Sequence, residues 1–74
     1  MKKYSLRIVT PDNRICLINT DNKRDLYKII HANNRALRIT LETDLEDREI
    51  KLIEDKLKKE KISSYKLLNL KEGY

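Results

Sequence analysis

Along this chain the spacing of apolar residues switches repeatedly between two and three-to-four, the two periods that separate strands from helices. Residues 4–10 alternate, with Tyr4, Leu6 and Ile8 on one side and Ser5, Arg7 and Val9 on the other, which predicts a strand. Pro11-Asp12-Asn13 stops it, because proline presets φ for the first corner of a turn and Asp or Asn tolerates the second. Residues 14–19 then return as a hairpin partner. Ile15, Cys16, Leu17 and Ile18 make that partner apolar on both faces, which predicts a place in the interior of the sheet and a buried Cys16 thiol.

Asn19-Thr20-Asp21-Asn22 is a cluster of cap formers, and Leu26, Ile29, Ile30 and Asn33 follow at helical spacing. A short first helix over 25–31 is expected, ended by Asn33-Asn34 in the left-handed conformation that Asn tolerates best after Gly. Leu37, Ile39 and Leu41 alternate with Arg38, Thr40 and Glu42, a third strand with one apolar face. Residues 43–61 carry the strongest helix signal of the chain. Asp44, Glu46, Asp47 and Glu49 suit the positive end of a helix dipole, and Lys56, Lys58, Lys59 and Lys61 the negative end. Thr43 and Glu46 have capping-box spacing. Leu45, Glu49, Ile50, Leu52, Ile53 and Leu57 share about half the circumference at 3.6 residues per turn. Asp47 with Lys51, Glu54 with Lys58 and Asp55 with Lys59 are acid-before-base pairs on the solvated arc. Ser63-Ser64 breaks the pattern and residues 65–70 read as a last strand. Its register is open, since Tyr65, Leu67 and Asn69 compete with Lys66, Leu68 and Leu70 for the core.

The expected architecture is an α+β two-layer sandwich of order ββαβαβ, one compact domain over residues 1–74, with two helices on one sheet face. If the strands joined through helices are neighbours, both links are parallel right-handed crossovers, the alternative for the first being a turn-rich connection in place of the short helix. At this length a chain hides only about 60% of the surface its unfolded form exposes, which leaves little room for a large internal active site. No apolar stretch is long enough for a signal peptide or a membrane span, because Arg7 and the turn at 11–14 interrupt the first one. With a single cysteine, Cys16, a disulfide framework is excluded, and a reducing, cytoplasmic setting is expected.

Charge adds an asymmetry. Of the formal net charge of +5, residues 1–41 carry +6, from nine Lys and Arg against Asp12, Asp21 and Asp25, while residues 42–74 carry −1. Such a bias raises encounter rates with an acidic protein surface or a polyanion, and it also serves solubility. Arg7 and Arg38 fall on the polar faces of two strands, and Lys2, Lys3, Arg14, Lys23, Arg24, Lys28 and Arg35 border the same side or the first helix. Arg7, Arg14, Arg35 and Arg38 are the nominated partner-binding residues.

Other chemistry is sparse. Phosphate-cradling loops need glycines where backbone meets ligand, and the only glycine is Gly73. One His and one Cys, with carboxylates accounted for by helix ends and ion pairs, do not make a metal site. A Cys16–His31 nucleophile and base pair is outweighed by a core role for the thiol and a helix-end role for the imidazole. No cofactor is called for, and no enzyme is read. Sheet-based RNA binders stack bases on strand aromatics, but the chain has no Phe or Trp, and Tyr4 falls on the core side. The Lys, Ile and Asn richness and short length resemble those of small accessory proteins of low-GC bacteria and their phages, including inhibitors of host nucleic-acid machinery. That resemblance implies a steric inhibitor of mobile-element origin. The functional expectation is a non-enzymatic module that binds another protein through a basic strand face and enters no membrane. The alternative is a basic nucleic-acid-binding regulator.

Overall fold

A three-residue hairpin sets the first pair of strands. The computed structural model describes residues 4–69, so the expectations for Lys2, Lys3, Leu70 and Gly73 fall outside the described residues. Asn13 N–H donates to the Thr10 carbonyl at 2.8 Å, Thr10 N–H donates to the Arg14 carbonyl at 2.8 Å, and Asn13 takes φ 67°. This is a type I turn closed by a left-handed residue, a common three-residue hairpin connection, and Asn fills the left-handed position at low cost. The Thr10 hydroxyl holds the turn from inside, donating to Asp12 and accepting from Arg14 N–H at 3.0 Å.

The elements are β1 (Tyr4–Val9), β2 (Ile15–Thr20), α1 (Lys23–Ala32), β3 (Arg38–Thr43), α2 (Asp47–Lys59) and β4 (Tyr65–Asn69), and the expected ββαβαβ order is what forms. They make a four-stranded sheet of order β2-β1-β3-β4, with β1 antiparallel to both neighbours and β3 parallel to β4. Both helices cover one face. α2 links adjacent parallel strands, whereas α1 crosses over β1 to join β2 and β3. Leu6 and Ile8 of β1, Ile39 and Leu41 of β3, Leu26 and Ile30 of α1, and Ile53 and Leu57 of α2 are fully buried together. Each contributes roughly 1.5–3 kcal/mol of burial.

Several local expectations are corrected. β2 is an edge strand, not an interior one, and Cys16 is exposed. Apolar residues on both faces describe an interior strand only when a second strand is there to pair with it, and β1 spends its other edge on β3. Leu37 precedes β3 and is exposed, and the buried apolar residue of that connection is Ala36. Thr43 does not cap a helix. It ends β3, buried and in register with Tyr4 and Asn69, because a β-branched residue at a paired, covered position is held by the sheet. α2 starts four residues later after Glu46, with no side-chain cap, and Asp47 and Glu49 supply the negative charge of its first turn. Leu52, placed on the apolar arc, is 52% exposed.

At α1 the cap is as expected, with Asn22 Oδ1 accepting from Arg24 N–H at 2.8 Å and Asp25 N–H at 3.3 Å. Its end differs. Asn33 is not left-handed (φ −115°), and its Nδ2 instead donates to the Ile29 carbonyl at 2.8 Å. The left-handed helix end belongs to α2, where Lys61 has φ 58°, Lys61 N–H donates to Lys58 O at 3.0 Å, and Ile62 N–H donates to Leu57 O at 3.3 Å. Those two bonds form a Schellman motif, and buried Ile62 and Leu57 are its apolar contact. Of the three expected i, i+4 pairs only Glu54–Lys58 is close enough to count, at 4.0 Å, while the tight pair of the helix is Lys56–Glu60 at 2.7 Å.

Candidate functional site

Pairing registers decide which side chains share the sheet face away from the helices. Three rows run across it: Ile15, Val9 and Arg38; Leu17, Arg7, Thr40 and Lys66; Asn19, Ser5, Glu42 and Leu68. The last strand, whose register sequence left open, puts Tyr65, Leu67 and Asn69 toward the helices and Lys66 and Leu68 on this open face. Arg7 and Arg38 are diagonal neighbours on adjacent strands, about 7–8 Å apart at Cα, and Lys66 lies two strands from Arg7, about 10 Å away. Among the described residues none of these three cations forms an ion pair.

Apolar side chains interleave with the charges. Ile15 is 61% exposed and Leu17 is 70% exposed, and Leu68 is also exposed. Val9, half-buried, joins Ile15 to Arg38. The result is a face with aliphatic surface on β2, guanidinium groups on β1 and β3, and Glu42 as its acid at the opposite end.

Of the four nominated arginines, Arg14, Arg35 and Arg38 lie toward the hairpin end of the sheet and Arg7 lies one row further in. Arg7 and Arg38 lie on the open face itself. Arg14 closes the hairpin beside Val9, and its Nε sits 3.1 Å from Asp12, an exposed pair that partly neutralises it. Arg35 is exposed in the connection after α1, at the end where Leu37 N–H donates to the Val9 carbonyl at 2.8 Å. Sequence reasoning missed Lys66, Ile15, Leu17 and Leu68 as members of this face. Alternation in β4 fits either register, and the exposure of Ile15 and Leu17 follows from strand order, which no local pattern encodes.

The basic residues of α1 lie elsewhere. Lys23, Arg24, Tyr27, Lys28 and His31 of α1, with Lys56 of α2, line an open groove of about 560 Å³ on the helix layer. Lys23 Nζ and Lys56 Nζ each stand 5.9 Å from the Tyr27 ring centroid, within cation–π reach. Glu60, half-buried, accepts from Lys56 at 2.7 Å and lies 3.0 Å from His31 Nδ1. The Lys56 ammonium first, and then His31, hold the Glu60 carboxyl down to about 2, below its ordinary 4.5. Burial pushes the Tyr4 phenol up, with Glu49 and Tyr27 adding to the effect.

His31 is thus engaged by Glu60, and no hydrogen bond joins it to Cys16. Among the described residues no three His, Cys, Asp or Glu side chains converge as metal ligands would. No helix of the described residues is long and apolar enough to cross a membrane. No protein-family model, curated protein or solved structure matches the chain.

Proposed function

We propose that the chain is a non-enzymatic binding module that docks the open sheet face onto an acidic, partly apolar surface of another protein. The observation that carries this reading is that exposed Ile15, Leu17 and Leu68 share one face with Arg7, Arg38 and Lys66, which form no ion pair among the described residues. Aliphatic side chains on the edge strands, flanking the central arginines, offer nothing to a phosphate backbone, but they give a protein partner apolar surface to cover on either side of arginine anchors. The aromatics Tyr4 and Tyr65 both turn toward the helices, so among the described residues this face has no ring on which a nucleic-acid base would stack. As a steric inhibitor of host nucleic-acid machinery, the role its composition suggests, the module would cover an acidic patch. A basic face does not imitate nucleic acid.

The test is capture from nuclease-treated lysate of the native host, with wild-type chain and with the Arg7→Glu/Arg38→Glu double variant. Wild type is expected to retain one protein at fixed stoichiometry, the double variant to lose it, and Lys51→Glu on exposed α2 surface to keep it. Equal capture by all three would overturn the assignment of the face.

The helix-layer groove favours a second reading, binding of a nucleic-acid backbone by Lys23, Arg24, Lys28 and Lys56 around Tyr27. It predicts affinity for unrelated oligonucleotides that falls steeply with log salt, and a slope reduced by about one for each lysine neutralised. Oligonucleotide affinity that ignores Lys23→Gln and Lys28→Gln would remove this reading.

A further inference from the structure

Strand β2 has the composition of an interior strand and the position of an edge. Its six residues, Ile15–Thr20, include no charge and no proline, whereas β1 carries Arg7, β3 carries Arg38 and Glu42, and β4 carries Lys66. Soluble proteins ordinarily guard an edge with charge, proline or a bulge, because its outward N–H and C=O groups are a template for another strand. Here six consecutive residues pair in regular register with β1, and nothing among the described residues covers the other side.

The hairpin fixes which groups point outward. Thr10 N–H bonds to the Arg14 carbonyl, so that pair is a hydrogen-bonded one, and alternation turns the backbone groups of Cys16 and Ile18 toward β1. The N–H and C=O groups of Ile15, Leu17 and Asn19 therefore face outward. An antiparallel copy of the same strand matches them when Leu17 sits on the two-fold axis. Leu17 then meets Leu17 of the second copy, Ile15 meets Asn19, and Cys16 meets Ile18, with about six interstrand hydrogen bonds formed. No two charges are brought opposite one another in that register. Arg7 and its copy lie three strand spacings apart in the same row, about 14 Å, beyond the roughly 8 Å screening length of physiological salt.

The second helix layer also fits. Leu26 and Ile30 face the core, and Lys23, Tyr27 and His31 line the groove beside α2, so helical spacing leaves Asp25, Ile29 and Ala32 on the other flank of α1. That flank presents no lysine or arginine to a second α1.

We propose that the chain forms a symmetric homodimer by antiparallel β2–β2 pairing, giving an eight-stranded sheet with β2 at its centre. The contradiction between composition and position then disappears, and the dimer offers two basic patches flanking a shared apolar row built on Leu17. The proposal does not depend on the acidic partner proposed above, and its test contains no partner.

Sedimentation equilibrium of the purified chain from micromolar to millimolar concentration is expected to show mass rising from 8.9 kDa toward twice that value. Leu17→Lys, at a side chain 70% exposed and outside the core, is expected to raise the dissociation constant at least about tenfold with the monomer fold intact by circular dichroism. Ile18→Cys places a second thiol opposite Cys16 of the other copy and is expected to give a disulfide-linked dimer on mild oxidation. A chain that stays monomeric at millimolar concentration, a dimer indifferent to Leu17→Lys, or a dimer in which Ile18→Cys fails to cross-link would each overturn the proposal. So would protection of the Ile15, Leu17 and Asn19 amides that appears only when a different protein is added.

Discussion

Neighbouring residues Leu52 and Ile53 of α2 test how the helix meets the sheet. Both fall on the apolar arc by spacing, yet Ile53 is fully buried among strand and helix residues and Leu52 is 52% exposed. Truncating Ile53 to Ala removes three buried carbons and leaves a void that close-packed neighbours only partly fill, a change that costs about 2–5 kcal/mol in other cores. A chain of this length has a total stability on the order of 4–11 kcal/mol, so the loss is roughly a fifth of the whole or more. At roughly 4–8 °C per kcal/mol, Ile53→Ala is expected to lower the melting temperature by about 8 °C or more. Leu52→Ala gives up contacts on one side only and is expected to cost less than about 1 kcal/mol. Urea denaturation followed by circular dichroism reads both, with an unchanged m-value confirming that stability alone has moved. Equal losses for the two variants, or a larger loss for Leu52→Ala, would refute the docking of α2 described here.

Lys61→Gly is expected to stabilise the domain by about 0.5–1 kcal/mol, since Lys61 holds φ 58° at the Schellman position where glycine has no Cβ penalty; a fall in denaturation midpoint would refute that. Asn22→Ala removes the side-chain cap of α1 and is expected to cost about 1 kcal/mol by the same measurement, against a few tenths for Asn22→Gly. The Glu60 carboxyl, held down to about 2 by Lys56 and His31, has a folded-state value below its unfolded one of 4.5, so its contribution is complete above pH 4.5 and disappears as pH falls toward 2. Glu60→Gln should therefore flatten the acid limb of the stability profile between pH 4.5 and 2, and an unchanged limb would show that the pairing is idle.

Much of the fold was legible because it is written locally. Alternation identified Tyr4, Leu6 and Ile8 and then Ile39 and Leu41 as core, helical spacing identified Ile53 and Leu57, and the residues of the 10–14 turn and the Asn22 cap carry their own backbone preferences. The misreadings share a cause. Strand order is not a local property, so an apolar β2 looked interior when it is an edge, and Cys16 looked buried when it is exposed. Thr43 has the chemistry of a helix cap and of a covered strand residue, and tertiary pairing with Tyr4 and Asn69 decided between them. The candidate site was half visible. Alternation put Arg7 and Arg38 on one face, but Lys66 joins them only through the β3–β4 register, and Lys56 approaches Tyr27 only because two helices separated in sequence lie side by side.

The open-face assignment is tested most directly by titrating the captured partner into isotopically labelled chain and following backbone amides by NMR. Binding is expected to perturb Arg7, Val9, Arg38, Thr40 and Lys66 first, with Lys23, Tyr27 and Lys28 unmoved, and to weaken at least about tenfold in Arg7→Glu/Arg38→Glu. Perturbations centred on the α1–α2 groove, with the sheet face silent, would contradict the account.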